Sequence, residues 1–79
     1  MRVMNKQRRK QIADLDEQIS ILCAEVEGLR DEEQEYFDNM PESLQMTDKG
    51  DAAETAVAAL DEAIEALTEA CSQLGEAST

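Results

Sequence analysis

Apolar residues recur at alternating steps of three and four along the first half of this 79-residue sequence, and this spacing predicts a long amphipathic helix. In heptad notation the a positions are isoleucine or valine and the d positions are leucine, a pattern typical of parallel two-stranded coiled coils. Three heptads are short for a free-standing coil, so the pattern indicates helix pairing without naming the partner. The row consists of Ile12, Leu15, Ile19, Leu22, Val26, Leu29, Glu33, Tyr36 and Met40.

A second helix is predicted over residues 51–74, where the apolar residues follow the same spacing. Ala, Leu and Glu dominate this stretch and are good helix formers. Asp51 and Glu54 resemble a capping box at its start, and Gly75 is typical of a helix end, so residues 75–79 are expected to fray. The row consists of Ala53, Val57, Leu60, Ile64, Leu67, Cys71 and Leu74, beside which Ala56, Ala63 and Ala70 widen the apolar face.

A loop over residues 40–50 separates the two helices. Pro41 disfavours a helical Met40, so the first helix, residues 11–39 after a basic start at 1–10, should end near Asn39. Pro41 is tolerated at the start of one short helical turn reaching Gln45, and Gly50 offers a flexible position before the second helix. The predicted fold is all-α and a single domain, an antiparallel two-helix hairpin that resembles a coiled coil.

The lengths of the helices predict self-association. Residues 6–39 would span about 50 Å and residues 51–74 about 36 Å, so Leu74 should lie level with residue 16 of the first helix. Ile12 and Leu15 would then have no cover within the chain. We expect a homodimer that forms a four-helix bundle, with Ile12, Leu15, Ile19 and Leu22 in the oligomer interface.

Charge excludes several classes of function. The chain has 7 Lys and Arg against 19 Asp and Glu, and a net charge of −12. Arg30 and Lys49 are the only basic residues after residue 10. Direct nucleic-acid binding is therefore not expected, because phosphate contacts depend on Lys and Arg. We also expect no signal peptide and no membrane-spanning segment, and a cytoplasmic protein is the expectation.

Two rows of carboxylates are the candidate partner-binding site. Side chains one helical turn apart lie about 5–6 Å from each other, and like charges at that spacing repel. A regular row of this kind is able to imitate the phosphates of a nucleic acid and to enter a basic groove. A surface that only interacts with solvent explains the same rows, and both interpretations stay open. The candidate residues are Glu27, Asp31, Glu32, Glu35 and Asp38 on the first helix, and Asp61, Glu65 and Glu69 on the second.

The aromatic residues and the thiols have structural explanations as well as functional ones. Tyr36 and Phe37 either join Met40, Leu44 and Met46 in a plug that closes the loop end or form an aromatic hot spot for a partner. Cys23 and Cys71 are expected to pack in the seam between the helices, roughly level with each other, although a disulfide on oxidation is conceivable.

The sequence contains no recognisable set of catalytic residues. The sequence contains no histidine. It also has no nucleophile–base pairing, no glycine-rich phosphate loop and no cofactor motif. Carboxylates are numerous, yet no stretch has the spacing and glycine of a calcium-binding loop. We therefore expect no enzyme, no cofactor and no designed metal site.

The segment Arg30–Gln45, which contains DEEQEYFDNMPESLQ, resembles a group of small acidic helical proteins encoded by bacteriophages, prophages and other mobile elements. Their further features are an Ala/Glu-rich second helix with units like Leu60–Ile64, and a start like Met4–Lys10. The resemblance covers most of the chain and implies a phage or prophage origin. By analogy with other small acidic phage proteins, it implies an inhibitor of host defence, such as an anti-CRISPR protein.

These observations lead to two hypotheses. In the first, the chain is a non-enzymatic inhibitor whose carboxylate rows block a basic, nucleic-acid-binding defence effector, with a Cas9-type CRISPR effector as the first candidate. In the second, it is a structural or assembly adaptor that acts through helix pairing. The first depends on the acidic rows and the second on the apolar row of the first helix.

Overall fold

The computed structural model describes residues 2–79, with side chains from Asn5 onward, and all of its elements are helices. α1 comprises Arg2–Asp38, α2 comprises Glu42–Gln45 and α3 comprises Asp48–Ala77. α1 and α3 pack against each other as an antiparallel hairpin, and α2 forms part of the turn and contacts α3. The result is a rod whose principal extents are 64 × 14 × 13 Å. The predicted all-helical hairpin is confirmed.

The first helix ends at Asp38, close to the predicted Asn39. Pro41 then precedes α2, and its carbonyl accepts the backbone N–H groups of Leu44 and Gln45 at 2.9 and 3.0 Å. The side-chain amide of Gln45 donates to the carbonyl of Phe37 at 3.0 Å. This bond satisfies one of the carbonyls left free at the end of α1, so α2 closes the helix end as well as turning the chain.

α3 begins three residues earlier than predicted, and Asp51 is not its cap. Thr47 occupies the cap position, and its carbonyl accepts the N–H of Asp51 at 3.0 Å. Gly50 is therefore inside the helix and buried, with no positive φ. A Cβ at Gly50 would overlap the carbonyl group of Gln45 and lie 2.6 Å from its Cα. Gly50 thus serves a close approach of α2 to α3, not the flexibility that the sequence indicated.

α3 also continues past Gly75, so the prediction that the helix ends there was wrong. Gly75 is helical, and α3 ends at Ala77. The last carbonyls of α3 have partners, because the Ser78 and Thr79 hydroxyls donate to Gly75 and Glu76 at 2.9 and 2.8 Å. The last carbonyl groups of a helix have no partner within the helix, and these two bonds satisfy such groups at the end of α3.

Polar contacts across the seam give the register of the hairpin. Ser20 contacts Cys71, Cys23 contacts Thr68 and Arg30 contacts Asp61, so residues whose numbers add to 91 lie level. Leu74 is therefore level with residue 17, within one residue of the prediction. Ile12 was expected to lie beyond the hairpin, yet it is half-buried, because α3 continues to Ala77 and the register places Thr79 level with Ile12.

The seam covers only part of the apolar row of α1. The row of α3 faces α1 as predicted, and every member is at least half-buried. On α1, the residues at a, such as Ile19, and the residues four positions later at e, such as Cys23, face α3. The leucines at d do not face it. Leu15, Leu22, Leu29 and Tyr36 remain between 51% and 57% exposed. Among the described residues, Cys23 and Ala53 are the only buried apolar side chains.

The two glycines Gly50 and Gly28 provide a matched test of the turn. Gly50→Ala should lower the free energy of unfolding by about 1–3 kcal/mol, because the added methyl group displaces the backbone of Gln45. Gly28→Ala should raise it by about 0.5–1 kcal/mol, because Ala is the better helix former and its Cβ would meet nothing within 4 Å. Urea unfolding followed by circular dichroism measures both. Equal effects of the two substitutions would contradict the assigned packing.

Candidate interaction surfaces

The two flanks of the seam form two different sides of the hairpin. Successive residues of a helix turn by about 100°, so residues just after a seam position lie on one flank and residues just before it lie on the other. On α1, Glu27 and Asp31 follow the seam residues Val26 and Arg30, whereas Leu29 precedes Arg30. Because α3 is antiparallel to α1, its residues after seam positions lie on the same side as those of α1.

Carboxylates from both helices meet on the first side, which we name the acidic face and define as Glu27, Asp31, Asp61 and Glu65. A groove lined by Glu27, Arg30, Asp31, Asp61 and Ile64 shows that the two helices contribute to it together. Glu65 lies one turn beyond Asp61 and lines the next groove along α3 with Glu69. Thus five of the predicted residues border neighbouring grooves.

The other predicted acidic residues lie elsewhere on α1. Asp38 is near the turn, on the same side as Glu27, and accepts a hydrogen bond from Gln34 at 3.0 Å. Glu32 and Glu35 are exposed, but they project further around α1, away from the groove. The structure therefore brings part of the two rows together and leaves these two glutamates outside.

Arg30 lies between carboxylates of the acidic face and was not among the predicted site residues. Its Nε donates to Asp61 at 2.7 Å and its Nη1 donates to Asp31 at 3.0 Å. Hydrogen bonds to Asp31 and Asp61 raise the pKa of the Arg30 guanidinium above its ordinary value. Arg30 joins the carboxylates of the two helices while neutralising part of their charge. Its position as the only base between residues 11 and 48 was the available signal.

The aromatic and sulfur side chains separate into inward and outward groups. Phe37 is half-buried and lines a groove with Gln34 and Val57, whereas Tyr36 is 53% exposed. Met46 is 85% exposed, so the predicted five-residue plug was wrong. Met46 lies in the two-residue turn between α2 and α3 and has no helix face on which to pack, whereas Phe37 lies in the seam.

The two cysteines are in the seam, as predicted, but about one turn apart along it. The thiol of Cys23 lies 4.0 Å from the Thr68 hydroxyl, and that of Cys71 lies 3.4 Å from the Ser20 hydroxyl. Both cysteines are free. Each sulfur therefore packs against a hydroxyl of the opposite helix, which is consistent with a packing role.

The opposite side of the hairpin is apolar, and we name it the leucine face. On α1 it consists of the exposed residues Leu15, Leu22, Leu29 and Tyr36. On α3 it consists of Ala56, Ala63 and Ala70, which precede the seam residues Val57, Ile64 and Cys71. Ile12 and Ile19, the other members of the predicted oligomer interface, are half-buried at the border between this face and the seam.

No family model matches the chain, and no curated protein or solved structure matches it either. Within residues 2–79, no helix combines the length and the apolar character that crossing a membrane requires. In the same part of the chain, no group of three potential ligand side chains is arranged to hold a metal ion. The two faces are therefore interpreted from their own geometry and chemistry.

The bond between Arg30 and Asp61 can be tested with a double-mutant cycle. Arg30→Gln and Asp61→Asn should each destabilise the hairpin, with a coupling between them that decreases as salt is added. The same cycle on Lys10 and Asp14 is the control, because that pair lies 3.5 Å apart on the surface of one helix. Its coupling should be smaller, as is usual for exposed pairs. Chemical unfolding measures both cycles, and equal couplings would remove the assigned role of Arg30.

Proposed function

We propose that this chain is a non-enzymatic interaction protein whose acidic face binds the basic, nucleic-acid-binding surface of another protein. The resemblance of Arg30–Gln45 to phage and prophage proteins supports a host defence effector in the bacterial cytoplasm as the partner, with a Cas9-type CRISPR effector first. Binding to the basic surface blocks access of the nucleic acid and inhibits the effector. The inhibitor itself makes no contact with nucleic acid.

The observation that carries this proposal is the groove shared by Glu27, Asp31 and Asp61. Carboxylates on one helix form a row, but carboxylates on two packed helices form a surface with two charged edges. A nucleic-acid duplex likewise presents two charged strands to its binding protein. Arg30 fixes Asp61 and Asp31 in place, so part of this surface is ordered before a partner arrives. Ordered charges lose less conformational entropy on binding.

The charge of the surface is costly for the hairpin on its own. Glu27 and Asp31 are one turn apart on α1, and Asp61 and Glu65 are one turn apart on α3. Each pair of like charges at this spacing destabilises a helix by a few tenths of a kcal/mol. A basic partner offsets this repulsion, and the net negative charge increases the rate of association with it.

The leucine face supports the second candidate, an assembly adaptor that acts through helix pairing. Leucine at Leu15, Leu22 and Leu29 recurs every seven residues on the exposed surface, which is the spacing of a coiled-coil seam. Exposed apolar stripes of this kind mark protein interaction sites. The same face supports our proposal that two hairpins associate as a homodimer with four helices. This candidate predicts sensitivity at Leu15 and Leu22 and indifference on the acidic face.

Charge reversal with a matched control tests the acidic face. The variant Glu27→Lys with Glu65→Lys should weaken binding to the basic partner protein at least about tenfold, because both side chains contact its basic surface. The control, Glu25→Lys with Glu62→Lys, changes the net charge equally with exposed glutamates outside the acidic face. It should weaken binding only about two- to threefold, through the long-range field. Titration calorimetry at physiological salt measures both affinities.

The partner for this test comes from a pull-down with the tagged protein from a nuclease-treated bacterial lysate. Under the proposal, a basic nucleic-acid-binding protein is recovered, is released as the salt concentration rises and is competed by DNA. Equal affinities of the two charge variants would contradict mimicry by the acidic face. Recovery only of complexes that resist salt would favour the adaptor.

A further inference from the structure

The leucine face is large compared with the core that the hairpin buries. Four of the seven exposed large apolar side chains lie on this face, and among the described residues no large side chain is fully buried. A chain of this size rarely folds on so small a core without a partner, a metal or a disulfide. Its two cysteines are free. A partner that covers the leucine face would supply the missing burial.

The α3 half of the leucine face consists of small residues and lacks charge. Ala52, Ala59 and Ala66 are exposed beside the half-buried Ala56, Ala63 and Ala70. Both sets recur every seven residues, so they form two parallel rows along one side of α3. Small side chains permit another helix to approach closely. The leucines of α1 project beside this flat strip, so the face is adapted to receive helices and not a small molecule.

The area of this face is consistent with a stable interface. From Leu15 to Tyr36 it extends about 32 Å along the rod, across two helices of about 10 Å each, or roughly 600 Å² per hairpin. A typical stable complex buries about 800 Å² on each partner. Contacts of the residues before Leu15 would bring the total close to that value.

The residues before Leu15 carry the charge that identifies the partner. Lys6, Arg8, Arg9 and Lys10, which we name the basic segment, are exposed on α1. The register places Ile12 level with Thr79, so the basic segment extends past the end of α3. Among the described residues, Lys10 has the single ion pair of this segment, with Asp14 at 3.5 Å. A strongly acidic surface of matching length is the expected complement.

The chain itself contains that surface, at the other end of α1. The segment from Asp31 to Asp38 has five carboxylates and no base. The basic segment cannot reach it within one chain, because about 35 Å of helix separates Lys10 from Glu33. A second copy with the opposite direction would place the two segments side by side.

We propose that two copies pair in an antiparallel, two-fold symmetric dimer through the leucine face, with Leu22 at the centre. This inference rests on the proposed self-association and specifies its geometry. Residues of α1 and of the partner's α1 lie level when their numbers add to 44. Leu15 then faces Leu29 of the partner, and Arg8 lies level with Tyr36 of the partner. Arg8 continues the row of Leu15 and Leu22, and it lies about one helical turn along the axis from Glu32 of the partner, which is on the same flank of α1 as the leucines.

The charges of the two segments determine the relative direction of the two copies. A parallel pair would place the two basic segments together and the two acidic segments together, whereas the antiparallel pair joins opposite charges at both ends. The β-branched a residues of the sequence favour parallel dimers when they form the interface. Here Ile12, Ile19 and Val26 are half-buried toward α3. The dimer contact is made mainly by leucines, so that preference does not apply to it.

Two adjacent residues test the face. Leu22→Glu should raise the dimer dissociation constant at least about a hundredfold, because two carboxylates would be buried at the two-fold axis. Ile21→Glu is the control: Ile21 is 58% exposed, compared with 53% for Leu22, but it points away from the leucine face. Its dissociation constant should change less than about threefold. Sedimentation velocity measures both. A dimer that survives Leu22→Glu, or that Ile21→Glu disrupts equally, would overturn the proposal.

A distance between two labels tests the direction. A spin label at Gln11→Cys, with Cys23→Ser and Cys71→Ser to remove the native thiols, is predicted to lie about 33 Å from its copy along the axis. A parallel dimer would place the two labels about 10 Å apart. Pulsed electron resonance separates the two cases, and the short distance would overturn the antiparallel geometry. These outcomes concern only the leucine face, since binding by the acidic face is measured with separate variants.

A charge exchange tests the contact between the segments. Arg8→Glu should weaken the dimer about tenfold, because repulsion replaces attraction at both ends. Adding Glu32→Lys to the same chain should restore most of the affinity. Restoration is specific to a contact between these two residues, whereas a general effect of net charge gives the same affinity for any added lysine. Glu17→Lys, added instead, provides that control, and equal recovery would contradict the contact.

Discussion

α1 and α3 share a single seam, and that seam can cover only one stripe of each helix. The sequence places apolar residues on a wider arc, because the a and d positions of α1 are largely apolar and Cys23 and Phe37 occupy two of its e positions. The seam takes the a and e residues, such as Ile19 and Cys23, and leaves Leu22 outside. The exposure of the leucine face is therefore a consequence of which stripe α3 covers, and not of an irregular fold.

Among the described residues, the side-chain hydrogen bonds between α1 and α3 lie on one flank of this seam. Arg30 binds Asp61, and Cys23 and Cys71 meet hydroxyl groups of the opposite helix. These contacts fix the register, and they also align the carboxylates of the two helices into the acidic face. The other flank consists mainly of leucine on α1 and alanine on α3. One rod therefore presents a charged side and an apolar side, and each is suited to a different kind of partner.

The sequence predicted the features that depend on period and length. The row of α3, the short turn after Pro41 and the level of Leu74 agree with the structure. The errors in the helix boundaries arose at glycine. Gly50 and Gly75 were interpreted as boundaries, yet both are helical, because glycine also permits close packing and because hydroxyl groups satisfy the final carbonyls. Helix ends depend on such local bonds more than on periodicity.

The apolar pattern of the sequence does not determine how α1 is rotated about its own axis. A row with apolar a and d positions has two flanks, and only contacts with α3 decide which flank is covered. Tyr36 and Phe37 are adjacent, so a rotation of 100° exchanges which of them is buried. The acidic rows were affected in the same way: Glu27 and Asp31 meet α3, whereas Glu32 and Glu35 do not.

Sedimentation equilibrium of the unmodified protein over a wide range of concentrations tests the central claim, that a second copy covers the leucine face. The account predicts a mass twice that of the 8.8 kDa chain, decreasing toward the single chain only on dilution. A folded, helical protein that sediments at 8.8 kDa at every concentration would contradict it.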